Sequence, residues 1–134
     1  MIQRMIEIGE GYSDLYELFE IAKSQKERVK FLLKLNAEKE NSKCCSFAVI
    51  LSPTSIGEFQ PIYYCREGIT LKEGAVTKRE ELFEVLAASI NKEIITLQIR
   101  HSSSFHETDL FHQYIIGILR LNHLIPPMKW EMQG

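Results

Sequence analysis

The chain has 134 residues, 45% of them hydrophobic and 25% charged, with a formal net charge of −2. That length supports one core without metal or disulfide staples, and that balance excludes a disordered or low-complexity chain. The charge leaves no basic footprint for nucleic acid and no polybasic strip for an anionic membrane, and no apolar run reaches the length of a bilayer span.

Arg4 and Glu7 interrupt the apolar residues at the N-terminus, so no secretory signal is expected. The three cysteines are an odd number without a C-x-x-C pair. Free thiols at Cys44, Cys45 and Cys65 in a reduced, cytoplasmic protein are the expectation.

Ile2 to Ile8 reads as a first strand ended by Gly9 and Gly11. Asp14 with Glu17 three residues on reads as the cap of a helix, which buries Leu15, Leu18, Phe19 and Ala22 on one face. From Arg28 to Glu38 the odd positions Val29, Phe31, Leu33, Leu35 and Ala37 are all apolar. The even ones are polar except Leu32, and this alternation predicts a half-buried strand rather than more helix. A charged turn at Lys39–Lys43 leads to the unbroken apolar run Phe47–Leu51. Such a run suits a strand covered on both faces, in the middle of a sheet. Cys44 and Cys45, adjacent in a strand, point to opposite faces.

Pro53, Ser55 and Gly57 break the pattern before a further strand at Ile62–Cys65, with Pro61 at its start. Tyr63 and Tyr64 then face opposite ways, one into the core and one under a helix. Gly68 to Val76, with Gly74, reads as a loop. Thr77 and Glu80 form a second capping box, opening a helix that buries Leu82, Val85, Leu86 and Ile90. Ile95, Leu97 and Ile99 alternate with polar residues in a last strand over Glu93–Arg100, one face of it wet. Ser104 and Glu107 form a third capping box before the longest helix, with Leu110, Phe111, Tyr114, Ile115, Ile118 and Leu121 on its apolar side. Pro126 and Pro127 end it.

The fold class is therefore α/β (α+β): one domain over residues 1–134, a mixed sheet in the order β-α-β-β-β-α-β-α, helices packed on it. Strands four and five, joined through a helix, should run parallel.

The inner α-β-β-β-α-β order resembles the core of restriction-endonuclease-like nucleases. The resemblance implies an acidic residue and a D/E-x-K element holding a divalent ion. None of the eighteen Asp and Glu residues has Lys two positions later, so the catalytic motif is missing. The stretches FQPIYYCREGI and GILRLNHLIPPM resemble a small group of uncharacterised bacterial proteins, which implies no activity.

No phosphate cradle, nucleophile elbow or zinc motif is present, so no catalytic residue and no cofactor is expected. His106, Asp109 and His112 step by three along one helix face and are the metal candidates, although the i, i+4 ligand spacing is missing. A solvated helix face with an acid near its N-terminus explains them as well. With strands four and five parallel, Arg66 and Glu67 should come near Arg100 and His101 at the carboxyl ends. Ser103 and Ser104 should open the last helix there, giving an anion or ligand crevice. Against this, serines cap helices and strand-end arginines are commonly solvated.

The leading functional expectation is a non-enzymatic interaction or regulatory domain, a homodimer through the tail that carries Met128, Trp130 and Met132. The alternative is a small-molecule or phosphate-binding protein, or a hydrolase, using the strand-end crevice.

Overall fold

A computed structural model describes residues 2–9, 12–40, 42–55, 59–71 and 76–126. Gly11, Gly57, Gly74 and the tail with Met128, Trp130 and Met132 lie outside the described residues. In chain order the elements are β1 (Gln3–Glu7), α1 (Tyr12–Ser24), β2 (Val29–Lys39), β3 (Ser42–Leu51), β4 (Gln60–Thr70), α2 (Lys78–Ser89), β5 (Ile94–Gln98) and α3 (Thr108–Leu121). A 3₁₀ turn over Ser102–Ser104 precedes α3.

All five strands join one mixed sheet in the order β1-β4-β3-β2-β5. β2, β3 and β4 form an antiparallel meander, β1 runs parallel to β4, and β5 parallel to β2. β3 takes the central place that its apolar run called for, and Cys45 to Leu51 are buried without interruption. β1, β2, β4 and β5 therefore share one direction, and their carboxyl ends define one edge of the sheet. β4 and β5 point the same way, as expected, but they are not neighbours. The chain after β4 passes β3 and β2 to pair on the far edge.

Helices cover both faces. On one side α1 and α2 meet the sheet around Leu18, Phe19, Leu32, Phe47 and Phe83. Phe83 stacks on Phe47 with ring centroids 4.1 Å apart. On the other side α3 lays Phe111, Ile115 and Leu119 over Leu33, Leu35, Ile50, Ile62 and Tyr64. Tyr63 packs toward α1 and α2 while Tyr64 faces α3, as the alternation along a strand demands.

Several local expectations are corrected. β2 is covered on both faces rather than half-buried: Leu32 is sealed under α2, and Lys34 on the same side is tied to Glu80. α2 buries Phe83, Leu86 and Ala87; Leu82 and Ile90 pack half-buried against the same core, and of the expected face only Val85 is exposed, at 66%. The helix is turned by about one residue, or about 100°, because Glu80 must meet Lys34 while Phe83 meets Phe47. β4 continues to Thr70, where it pairs with Cys44, so Gly68 begins no loop. α1 starts at Tyr12, which places Asp14 in its first turn rather than at its cap. The carboxylate of Asp14 instead packs against Gly9, where φ is +153° and a Cβ would come 2.3 Å from Oδ2. The capping box of Thr77 and Glu80 is complete. That of Ser104 and Glu107 is not: Ser104 closes the 3₁₀ turn, and Glu107 caps α3 without a side-chain hydrogen bond. Leu110 and Leu121 stand exposed on α3, because Leu119 takes the inward position of the last turn.

Candidate functional site

The expected crevice does not form. Arg66 lies on β4 and Arg100 just past β5, and with β3 and β2 between them the strands stand about 14 Å apart at ordinary ladder spacing. Arg66 turns the other way, toward β1, where Nη2 sits 3.3 Å from Oε2 of Glu7. Glu67 lies on β4 next to Arg66, in the irregular stretch between the pairs Phe47–Cys65 and Cys45–Ile69. Arg100 donates its backbone N–H to the Tyr114 hydroxyl at 2.9 Å and holds its guanidinium 5.9 Å from the centre of the Phe105 ring. His101 accepts the Ser103 N–H at Nδ1, 3.1 Å, so His101 and Ser103 do meet. Ser103 and Ser104 are exposed on the 3₁₀ turn and do not open α3. Glu107 caps that helix and Asp109 lies in its first turn, and their carboxylates already answer the helix dipole and repel a further anion.

His106 and Asp109 are exposed, whereas His112 turns inward. Among the described residues no three His, Cys, Asp or Glu side chains gather as metal ligands would. His112 instead joins a polar cluster at the carboxyl edge that the sequence pattern did not reveal. The Tyr64 hydroxyl, buried under α3, donates to Oε1 of Glu7 at 2.9 Å and lies 2.6 Å from Nε2 of His112. Glu7 and Tyr64 are register partners on β1 and β4, which is why their side chains leave the same face. The hydroxyl has one proton to give, and it goes to Glu7. Nε2 of His112 therefore carries its own proton and donates to the Tyr64 oxygen. Burial lowers the His112 pKa below its ordinary value; Glu7 and Asp109 oppose this and Arg66 adds to it.

An opening lies at the opposite, amino edge. A cavity of about 900 Å³, wide open to solvent, is bounded there by the starts of β2 and β4, the approach to β5 and the end of α3. Val29, Phe31, Leu124, Ile125 and Pro126 supply apolar wall, and Lys30, Lys92, Arg120, His123, Gln60, Ser52 and Glu27 supply polar groups.

Three local devices build this cavity. The first is a bulge in β2, where Val29 pairs with Leu51 and Phe31 already with Ile50, leaving Lys30 as the extra residue. The bulge sends Val29 to the α1–α2 core and Phe31 to the α3 side, and it re-aims Lys30 into the rim. The second is a pair of matching helix ends. After α2, Asn91 adopts φ +57° and Lys92 N–H bonds Ala87 O at 2.9 Å; after α3, His123 adopts φ +59° and Leu124 N–H bonds Leu119 O at 2.9 Å. Both are Schellman closures with a left-handed residue other than glycine, and they deliver Lys92, His123 and Leu124 to the same place. The third is a buried chain of side chains. Gln3 donates to Oε1 of Gln60 at 3.3 Å, and Arg120 Nη2 donates to Oε1 of Gln3 at 2.8 Å. Nε of Arg120 is enclosed and has no acceptor among the described residues.

None of the three cysteines is in a disulfide. Burial pushes the Cys45 and Cys65 thiols up to about 12, so neither supplies a thiolate nucleophile near neutral pH.

A family model described as a domain of unknown function, DUF7147, matches residues 1–125. The chain belongs to the DUF7147 family. That match takes in every described strand and helix and ends at Ile125, on the cavity wall. The tail with Met128, Trp130 and Met132 lies beyond the DUF7147 match. No curated protein and no solved structure gives a significant match. The nuclease resemblance thus rests on element order alone.

Proposed function

We propose that this protein is a small-molecule-binding domain whose ligand enters the amino-edge cavity. The observation that carries the reading is the cavity itself: about 900 Å³, lined by apolar side chains together with polar ones from β2, β4 and the ends of α2 and α3. Sites for drug-sized ligands and cofactors span about 300–1,000 Å³ and combine apolar walls with a few placed polar groups. Three cysteines outside any disulfide support a reducing, cytoplasmic setting. A fragment screen by amide chemical shift is the test. Hits should cluster at Val29, Phe31 and Ile125; hits scattered over the sheet, or none, would refute the reading.

A second reading is association through α3 and the tail. Leu121 is 79% exposed in the last turn of α3 and Leu110 43% in the first, on a helix that is otherwise covered on its apolar side. Apolar side chains in that position support a contact with a second copy.

A further inference from the structure

We infer that the ligand of the amino-edge cavity is an organic anion, an apolar body bearing one carboxylate or phosphate, and that Arg120 reads its charge. The inference rests on the cavity being a binding site. Three observations carry it.

The first is charge. The chain as a whole is net negative, yet Lys30, Lys92 and Arg120 line one opening against the single carboxylate of Glu27. Neither lysine forms an ion pair with a carboxylate among the described residues. Part of this charge answers the carbonyl ends of α2 and α3, which stop at the same edge. Lys30 belongs to no helix end; the β2 bulge alone delivers it.

The second is the construction behind Arg120. Gln3 and Gln60 are 6% and 2% exposed and stand in register on adjoining strands. Burying two amides gives up their hydration, and a core position has no packing need for them. What they do is fix a guanidinium at the cavity wall, with Gln60 itself lining the cavity. The Nε–H of that guanidinium is enclosed and has no acceptor among the described residues, so the nitrogens that reach the opening are the terminal ones. A guanidinium fixed at the wall by Gln3 is suited to an oxyanion.

The third is the apolar part of the lining. Phe31, Leu124 and Ile125 offer apolar surface within the same cavity, enough for the body of an aromatic or aliphatic acid and not needed for a free inorganic ion.

The experiment uses the full chain and four probes of one shape: 2-naphthoate, naphthyl phosphate, 2-naphthamide and 2-naphthylmethylammonium, titrated by amide chemical shift. The two anions should bind at Val29, Phe31 and Ile125, at least about tenfold more tightly than the amide, with affinity falling as salt is raised. Tighter binding of the phosphate than of the carboxylate would assign the phosphate form, and the reverse order the carboxylate form. Arg120→Gln should erase the preference for anions while leaving the amide unchanged. Should that variant fail to fold because Gln3 loses its partner, Lys92→Gln should weaken the anions and spare the amide. Equal binding of amide and anion in the cavity would overturn the charge inference and leave the cavity reading standing. Absence of shifts at the cavity with all four probes would overturn both.

Discussion

At the scale of single residues, Glu80 shows how one side chain can serve two elements. Its backbone N–H bonds the Thr77 hydroxyl at 3.3 Å, its carboxylate returns to the Thr77 N–H at 2.9 Å, and the other carboxylate oxygen meets Lys34 of β2. Burial by itself would raise its pKa; the bonds to Lys34 and Thr77 and the lysine charge outweigh that and hold it below 4.5. A carboxyl with a depressed folded pKa is harder to protonate folded than unfolded. Its contribution is therefore complete above the unfolded value and is lost as pH falls through the folded one. Stability should accordingly decline below about pH 4.5, and Glu80→Gln should flatten that limb in urea melts taken at stepped pH. Parallel curves for the two proteins would contradict the account. The thiols give a second prediction at this scale. Cys45 and Cys65, with pKa values pushed up by burial, should resist iodoacetamide in the native protein at pH 7.5 and react once urea unfolds it. Mass spectrometry of peptides after brief labelling reads the difference.

At the level of elements, α3 carries exposed Leu110 and Leu121 on its outer face. Gly117 lies in its interior, and a Cβ built there meets nothing within 4 Å. Glycine in a helix costs about 0.5–1 kcal/mol relative to alanine through backbone entropy. Gly117→Ala should therefore raise the unfolding free energy by about that amount, measured by urea denaturation. A loss of stability instead would show that the face is packed against something in solution. The cap of α2 works the other way. Thr77→Ala removes an acceptor from the first turn and should cost about 1 kcal/mol in the same measurement.

For the whole molecule, the open question is what meets the outside of α3 and the chain that follows it. Met128, Trp130 and Met132 recur at spacing two after Pro126 and Pro127, and such side chains left in water would favour association. Together with the exposed Leu121, this predicts a dimer for the intact chain and a folded, mostly monomeric species for one ending at Pro127. Light scattering separates the outcomes, and an unchanged state after truncation would remove the tail from the interface. Because the DUF7147 match ends at Ile125, the ligand experiments should give the same result with the truncated chain if the cavity alone binds.

The sequence by itself determined the element order, the central place of β3 and the strand identity of β2, because alternation and apolar runs are local signals that one buried face makes unambiguous. It also determined the cap of α2 at Thr77, where two side chains three residues apart satisfy each other. Tertiary structure decided the rest. Which way α2 rolls depends on Lys34 and Phe47, both more than thirty positions away in the chain. Strand order separated Arg66 from Arg100, since local pattern gives a strand's direction but not which neighbour it will find. The cavity needed a one-residue bulge, two left-handed helix ends without glycine and a bond from Arg120 to Gln3 across nearly the whole chain. The bulge and the Arg120–Gln3 bond are meetings of distant residues, which leave no period in the sequence to read; the helix ends are local, but Asn91 and His123 stand where a glycine would have marked them.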